Sequence, residues 1–266
     1  MSPEAYRDFT ERLTSALKRE PDVLGLVASG SMSGVGQAAD AWSDHDFFVV
    51  VRPGTQEHWR SELAWLPDAE RVVLAFRETA HGLKVVYRDG HLLEFAVFEP
   101  DELQLARVNR YRVLMDGADI EARMRTVREA TDAAPRCDDR FLMGQFLTQL
   151  LVGVARFRRG ERLSGHRLVK AQALEHLLAL IALHLPPADA AAPDGLDPFR
   201  RVERAWPLLA REIEGALAEP VDISARRLFD LGVRELSGRI DFPSDAIAAI
   251  GAALTLSAIP AGSARR

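Results

Sequence analysis

Cysteine is almost absent from this sequence: Cys137 is the one cysteine in 266 residues, so no disulfide can form within the chain. A membrane-spanning segment is also missing, because the longest apolar stretch, near 246–260, is shorter than the ~20 residues that a spanning helix needs. The amino terminus shows no apolar signal segment. We therefore expect a cytoplasmic protein that has no membrane partner.

An excess of basic residues is missing as well. The formal net charge is −5 and the sequence pI is about 5.8, so no overall positive field attracts duplex nucleic acid. Hydrophobic residues make up 47% and charged residues 27%, a balance that is typical of folded domains and argues against disorder. We expect no nucleic-acid partner, and a chain of this length accommodates one large domain or two smaller ones.

The first half of the chain alternates helix and strand signals. Ser2 and Pro3 form an N-cap and first-turn pair, and the polar stretch after them predicts a helix to about Arg19. Asp89-Gly90, between two strand-like runs, favours a tight hairpin. The predicted strands are 23–28, 47–51, 71–76, 83–88, 91–98 and 112–115, with a short helix at 55–65.

The second half changes to helical periodicity. Apolar residues recur at helix spacing, and no convincing strand signal is found there. A cluster of Ala, Pro and Asp near 131–137 marks the boundary. We therefore predict an α+β protein, with a mixed-sheet domain over residues 1–130 and an all-α helical bundle over residues 131–266. The predicted helical segments are 146–157, 174–185, 199–217, 222–237 and 243–257.

Two short motifs stand at the ends of successive predicted strands. Gly30-Ser31 directly follows the first strand, and Asp44-His45-Asp46 opens the second. Glycine allows a phosphate to approach the backbone closely, and the serine hydroxyl and nearby amides can donate to phosphate oxygens. Residues i and i+2 of a strand share a face, so we expect Asp44 and Asp46 to converge on one side and His45 to point away.

A third carboxylate lies in an apolar strand. Glu94 interrupts the apolar run 92–98, where an unpaired carboxylate is costly. If this strand lies beside that of Asp44 and Asp46, three carboxylates share a small volume and favour divalent cations. Mg²⁺ takes such hard oxygen ligands and leaves positions for phosphate oxygens, and two such ions can stabilise both ends of a phosphoryl displacement.

Each of these features has a simpler explanation when it is taken alone. A Gly-Ser pair is usually a turn, Asp44 and Asp46 can be a solvated strand start, and Glu94 can be an exposed edge residue. The order strand, Gly-Ser, Asp-x-Asp, strand-Glu is much rarer by accident than any one of its parts. We interpret His45 as a structural or surface residue. Three basic residues of the helical half are left open between a solvated helix face and a triphosphate contact: Arg156, Arg159 and Lys170.

The combination of Gly30-Ser31, Asp44-x-Asp46 and the later strand residue Glu94 resembles the nucleotidyltransferase superfamily typified by DNA polymerase beta. The resemblance covers most of the first half of the chain. The length and the helical second half look most like the lincosamide and aminoglycoside antibiotic adenylyltransferases. The second carboxylate of the motif is Asp here, whereas some relatives carry Glu.

This resemblance implies transfer of a nucleoside monophosphate, by default AMP from ATP, to a hydroxyl of a small molecule, with release of pyrophosphate. It assigns Mg²⁺, two ions in number, to Asp44, Asp46 and Glu94. It assigns the triphosphate to Gly30 and Ser31, and it makes Glu94 the general base, a metal ligand or both. It also implies that the helical half closes the cleft and shapes the acceptor pocket.

The acceptor is the part of the function that the resemblance specifies least. A lincosamide or aminoglycoside antibiotic is the acceptor that we expect by analogy. Two other functions stay open: a non-catalytic nucleotide-binding or regulatory module, and a nucleotidyltransferase whose acceptor is a protein or an RNA. A homodimer, with an acceptor site shared between two chains, also stays open.

Overall fold

A computed structural model describes residues 1–35, 38–133, 137–241 and 244–255. The chain forms two compact units, Met1–Ala134 and Pro135–Arg266. The Ala-, Pro- and Asp-rich boundary segment predicted near 131–137 lies partly outside the described residues, and so do the two ends of the helix predicted at 243–257.

The first unit joins helices to a six-stranded sheet, and the prediction of an α+β protein is confirmed. The helix predicted at 55–65 is shorter than expected, because the backbone turns extended at Glu62 (φ −101°, ψ 109°). The sequence analysis missed the helix after the last strand. The elements are α1 (Pro3–Leu17), β1 (Val23–Ser29), β2 (His45–Val51), α2 (Gln56–Ser61), β3 (Val72–Arg77), β4 (Gly82–Tyr87), β5 (Leu92–Phe98), β6 (Tyr111–Asp116) and α3 (Ile120–Asp132).

The sheet is mixed, and its strand order is β3-β4-β5-β2-β1-β6. β2 and β5 pair in parallel, and the other four neighbouring pairs are antiparallel. The parallel pair lies in the middle of the sheet, and its register sets Asp46 opposite Glu94. Lys84 of β4 is in turn the register partner of Glu94. Three charged residues therefore form one row across three strands.

The two long helices of this unit cover opposite faces of the sheet. Ser2 caps α1 by accepting a hydrogen bond from the Ala5 amide (3.2 Å), and Tyr6, Phe9 and Leu13 are buried on one side of the helix. The α1 residues pack with alternate residues of the central strands, whereas the apolar stripe of α3 packs with the residues between them. Strand alternation therefore decides which side chains of β2 and β5 face α1 and which face α3.

The second unit is built from helices, and no strand occurs in the part of it that the structure describes. The helix predicted at 199–217 is two helices, because a new helix begins at Pro207, a favoured first-turn residue. The elements are α4 (Asp139–Arg158), α5 (Arg162–Arg167), a π-helical segment (Leu168–Ala173), α6 (Leu174–His184), α7 (Val202–Ala205), α8 (Pro207–Leu217), α9 (Val221–Leu236) and α10 (Ser244–Thr255).

The core of the second unit forms where α4, α6 and α9 meet. Phe146 and Leu177 are fully buried in it, and Gly232 leaves the space that the Phe146 ring occupies, since a Cβ on Gly232 would lie 2.8 Å from that ring. Although α6 is strongly apolar, none of the helices over the described ranges is long and apolar enough to cross a membrane.

Candidate functional site

The segment Gly30–Ser33 forms one turn of 3₁₀ helix directly after β1. Gly30 has a positive φ of 52°, a conformation that favours glycine. A Cβ built on Gly30 would lie 2.4 Å from Oδ2 of Asp46, well inside contact distance. The backbone of this turn therefore lies against the Asp46 carboxylate, and the absence of a side chain at position 30 makes that approach possible.

Ser31 contributes a polar atom that the fold leaves unsatisfied. Its Oγ is buried and makes no hydrogen bond of acceptable geometry within the chain. The neighbouring Tyr6 hydroxyl donates instead to the backbone carbonyl of Asp44 (2.8 Å). Buried hydroxyls are normally satisfied, so a lone one beside a glycine turn is consistent with a ligand that accepts its proton.

Asp44 and Asp46 flank the first residue of β2. Asp44 precedes the strand, and Asp46 is its second residue. Burial raises the pKa of the Tyr6 phenol far above its ordinary value, the nearby Ser31 hydroxyl offsets part of that rise, and the negative charges of Asp46 and Asp44 raise the pKa further. The structure therefore brings the two predicted aspartates to the same end of β2, beside the start of α1.

His45, between the two aspartates, points to the α1 face and is fully buried. Its ring stacks on Tyr6 at 3.7 Å, and its Nδ1 shares a hydrogen bond with Nε2 of His91 (2.8 Å). Its Nε2 lies 3.0 Å from Oγ1 of Thr10. Burial lowers the pKa of His45 to about 3, and the neighbouring His91 adds to the effect. His45 is thus a neutral structural residue at neutral pH, and a surface position is ruled out.

Glu94 and Asp46 are register partners on adjacent parallel strands, so both side chains lie on the α3 face of the sheet. Glu94 forms an ion pair with Lys84, whose Nζ lies 3.1 Å from Oε1 of Glu94 and 3.0 Å from Oε1 of Glu78. Hydrogen bonds to Glu78 and Glu94 raise the pKa of the ammonium. Lys84 was not predicted as a site residue, although the Asp89-Gly90 hairpin joins its strand to that of Glu94 and the two residues pair across it.

The donor atoms fit a magnesium site, with one difference from the prediction. Among the residues that the structure describes, no group of three or more His, Cys, Asp or Glu side chains is placed to hold a metal ion. Asp46 and Glu94 are brought into register, and Asp44 lies two residues before Asp46, just ahead of β2. Mg²⁺ commonly takes one or two protein carboxylates, with phosphate oxygens and waters as its other ligands. The carboxylate oxygens of Asp46 and Glu94 match that requirement, because the glycine turn and the Ser31 hydroxyl beside Asp46 can receive phosphate oxygens.

A cavity of about 640 Å³ opens beside Ser31. Three cationic side chains, Arg7, Lys18 and Arg112, and one carboxylate, Glu11, contribute to its lining. Arg112 is held towards the turn, since its Nη2 donates to the carbonyl of Met32 (3.4 Å). The excess of positive charge next to an unsatisfied hydroxyl suits an anionic ligand, and the sequence analysis did not identify these cations.

The basic residues of the helical unit are engaged within that unit. Lys170 donates through Nζ to the carbonyls of Leu217 (2.7 Å) and Glu219 (2.5 Å), at the carboxyl end of α8. Arg156 donates to Oγ of Ser164 (2.7 Å). The third residue of this set is held in the same way, because Arg159 pairs with Glu161 at 3.3 Å. These contacts favour a structural role for the three residues over a triphosphate contact.

Comparison with known proteins gives a likeness in structure only. No protein family matches the sequence, and no curated protein matches it. An aminoglycoside 6-adenyltransferase from Bacillus subtilis is similar at 11% identity and a TM-score of 0.31, covering 95% of this chain and 92% of the other. The CdnC:HORMA-deltaN complex of E. coli MS115-1 is similar at 12% identity and a TM-score of 0.31, covering 95% and 90%.

A third structure, the CD-NTase CdnG of Bradyrhizobium diazoefficiens in complex with GTP, is similar at 16% identity and a TM-score of 0.29, covering 96% of this chain and 94% of the other. All three are nucleotidyltransferase-fold proteins, the superfamily that the sequence motifs resemble. At such low TM-scores and identities we draw no inference about this chain from them, and the assignment of function is made from the site itself.

Proposed function

We propose that this chain is a metal-dependent nucleotidyltransferase. It transfers a nucleoside monophosphate, AMP from ATP by default, to a hydroxyl of a small molecule and releases pyrophosphate. One observation carries the proposal: the Asp46 carboxylate lies between the glycine turn at Gly30 and its register partner Glu94. In this proposal the turn at Gly30 binds phosphate and the two carboxylates, which lie at one end of the central strands, bind the metal ion.

The turn after β1 binds the triphosphate in this proposal. Gly30 gives phosphate oxygens access to the backbone, and the unsatisfied hydroxyl of Ser31 donates to one of them. The cationic side chains Arg7, Lys18 and Arg112 add positive potential in the neighbouring cavity. Each of these contacts is to the part of the nucleotide that becomes pyrophosphate, so the turn orients the leaving group.

Asp44, Asp46 and Glu94 would hold Mg²⁺. When it is bound, Mg²⁺ neutralises phosphate charge and stabilises the attacking and leaving oxygens of the displacement. Asp46, from the middle strand of the site, and Glu94, one strand away, supply the ligands that the structure already brings into register. Asp44 adds a carboxylate at the entrance of β2.

The transfer step in this proposal is a displacement at the α-phosphorus of the nucleotide. The acceptor oxygen forms a bond to the α-phosphorus while the bond from that phosphorus to the bridging oxygen of pyrophosphate breaks. Glu94, as general base, takes the proton of the acceptor hydroxyl. Pyrophosphate leaves from the turn at Gly30 and Ser31. No oxidant, reductant or further co-reactant is required.

A small hydroxylated molecule is the proposed acceptor, with lincosamide and aminoglycoside antibiotics as the first candidates. The acceptor-binding role of the helical half and the possibility of a homodimer stay predictions. The competing functions differ from the proposal in what triggers the release of pyrophosphate: a transferase with a protein or RNA acceptor releases it only with that acceptor. A binding module forms no pyrophosphate with any acceptor.

The proposal is tested by measuring pyrophosphate release from each of the four nucleoside triphosphates with Mg²⁺, against a panel of antibiotics, other small polyols, protein and RNA. We expect acceptor-dependent release that Asp46→Asn abolishes. The matched control is Asp22→Asn, an exposed carboxylate that forms a weak pair with Arg52 (3.5 Å). Melting curves without metal check that Asp46→Asn and the control variant are folded. Release that persists in Asp46→Asn would contradict the metal assignment.

A further inference from the structure

The ammonium of Lys84 lies where it would compete with a metal ion for the Glu94 carboxylate. It contacts Glu94, the carboxylate that is in register with Asp46, at 3.1 Å. The row across β4, β5 and β2 holds one positive side chain, Lys84, followed by two carboxylates, Glu94 and Asp46. Lys84 is 27% exposed and Glu94 37% exposed, so the pair sits at the rim of the site and can rearrange without crossing the core.

Glu78 gives the Lys84 ammonium a second partner outside the row. It lies just after β3, and its Oε1 is 3.0 Å from Nζ of Lys84. When Glu94 is drawn towards a divalent cation, the ammonium can stay on Glu78 and remain paired. Glu78 therefore lowers the free-energy cost of separating Lys84 from Glu94.

We propose that Lys84 is a displaceable counter-ion of the metal site: it neutralises Glu94 when no metal is bound and transfers its ion pair to Glu78 when metal binds. This inference rests on the proposed function, since it requires Asp46 and Glu94 to be metal ligands. Lys84 is a positioning residue, and it touches neither nucleotide nor acceptor in this scheme.

Substitutions of Lys84 and of Glu78 should change the metal affinity in opposite directions. Lys84→Met removes the competing charge, so the metal should bind about threefold to tenfold more tightly. Glu78→Gln removes the alternative partner, so the ammonium holds Glu94 more strongly and the metal should bind more weakly. In the double variant the Glu78→Gln effect should disappear, because no ammonium is left to redistribute. A general loss of negative charge would instead weaken binding equally in both backgrounds.

The experiment measures Mn²⁺ affinity by electron paramagnetic resonance, with Mg²⁺ as the competitor, on the full chain. Lys84→Arg keeps the charge and should bind metal like the wild type. Arg88→Met is the matched control: it removes one exposed positive charge just after the same strand and should leave the affinity unchanged. Melting curves without metal show whether each variant is folded.

The outcomes separate this inference from the proposed function. If the wild type binds Mn²⁺, Asp46→Asn does not, and Lys84→Met binds as the wild type or more weakly, the counter-ion role is wrong and the metal site stands. If Glu78→Gln weakens binding equally with and without Lys84, the transfer of the ion pair is wrong. If Asp46→Asn binds Mn²⁺ as well as the wild type, the metal site itself is wrong and both proposals fall.

Discussion

Gly30 and Asp46 are in contact through the space that a side chain would fill: a Cβ on Gly30 would lie 2.4 Å from Oδ2 of Asp46. The contact joins the turn after β1 to the second residue of β2, two strands that pair antiparallel. The position of the Asp46 carboxylate therefore depends on glycine at position 30, as well as on its own strand.

Gly30→Ala should remove most of the activity. The new methyl group pushes the Asp46 carboxylate away and strains a backbone with φ of 52°. Gly54→Ala is the matched control, because Gly54 also has a positive φ (85°) but a Cβ there would meet nothing within 4 Å. Both variants should lose about 1–2 kcal/mol of stability from the left-handed backbone, measured by urea unfolding. Equal loss of turnover in the two variants would show that strain alone, and not the Asp46 contact, matters.

Ser31→Ala should lower the activity without lowering the stability of the protein. The Ser31 hydroxyl is buried, and its contact with Tyr6 is not aligned as a hydrogen bond, so its removal should change the free energy of unfolding little. Loss of a hydrogen bond to a charged phosphate is worth about 1.5–3 kcal/mol, which lowers kcat/KM for the triphosphate about tenfold to a hundredfold.

Ser33→Ala provides the contrast in the same turn. Ser33 is buried, donates to the carbonyl of Gly30 (2.8 Å) and accepts from the amide of Val35 (3.2 Å), so its loss should destabilise the protein by about 1 kcal/mol. A Ser31→Ala variant that was destabilised like Ser33→Ala and kept normal use of the triphosphate would place Ser31 in the structural framework.

Glu94→Gln should distinguish a metal ligand from a general base. The amide keeps the size and polarity of the side chain but cannot take the acceptor proton, a step that typically contributes about 10²–10⁴-fold. If Glu94 acts chiefly as the base, calorimetric titration should show normal binding of Mg-ATP while turnover is lost. If it is chiefly a ligand, binding should weaken together with turnover. Normal turnover would remove Glu94 from the site.

Acid should destabilise the first unit through its buried histidines. An unfolded histidine has a pKa near 6.5, whereas burial lowers the pKa of folded His45 to about 3. Between these values the unfolded state binds more protons, so the contribution to stability is full above about pH 6.5 and is lost as the pH falls towards 3. The slope reaches about 1.4 kcal/mol per pH unit for one such group. Burial also lowers the pKa of His91, with the same sign.

The measurement is urea unfolding of the metal-free protein from pH 7 to pH 4. His45→Gln should flatten the dependence of unfolding free energy on pH, while His58→Gln, which replaces an exposed histidine of the same unit, should keep the wild-type slope. A His45→Gln variant with an unchanged slope would mean that other groups cause the loss of stability in acid.

Much of the first unit could be predicted because local signals were strong. The Ser2-Pro3 cap, the Asp89-Gly90 turn and the apolar runs each depend on residues close in sequence, and the helix and strands that they predicted are present. The helix α3 was not predicted although Ile120, Met124 and Val127 have helical spacing; its first amide, that of Ile120, donates to Asp116 at the end of β6 (2.6 Å) and not to the adjacent Asp119.

The sequence by itself determined the α+β class and the candidate residues Gly30, Ser31, Asp44, Asp46 and Glu94, because strand alternation and glycine chemistry are local properties. Their roles in binding and catalysis stay predictions. Only the tertiary structure decided the strand order, since register is a long-range pairing that local patterns do not encode.

That pairing set Asp46 beside Glu94 and brought Lys84 into the same row. It also buried His45 between α1 and the sheet, where it is neutral because a charged imidazole would lose its hydration without gaining a negative partner. Which charged side chains become neighbours depends on which strands lie side by side. The packing of both faces of the sheet determines that strand order.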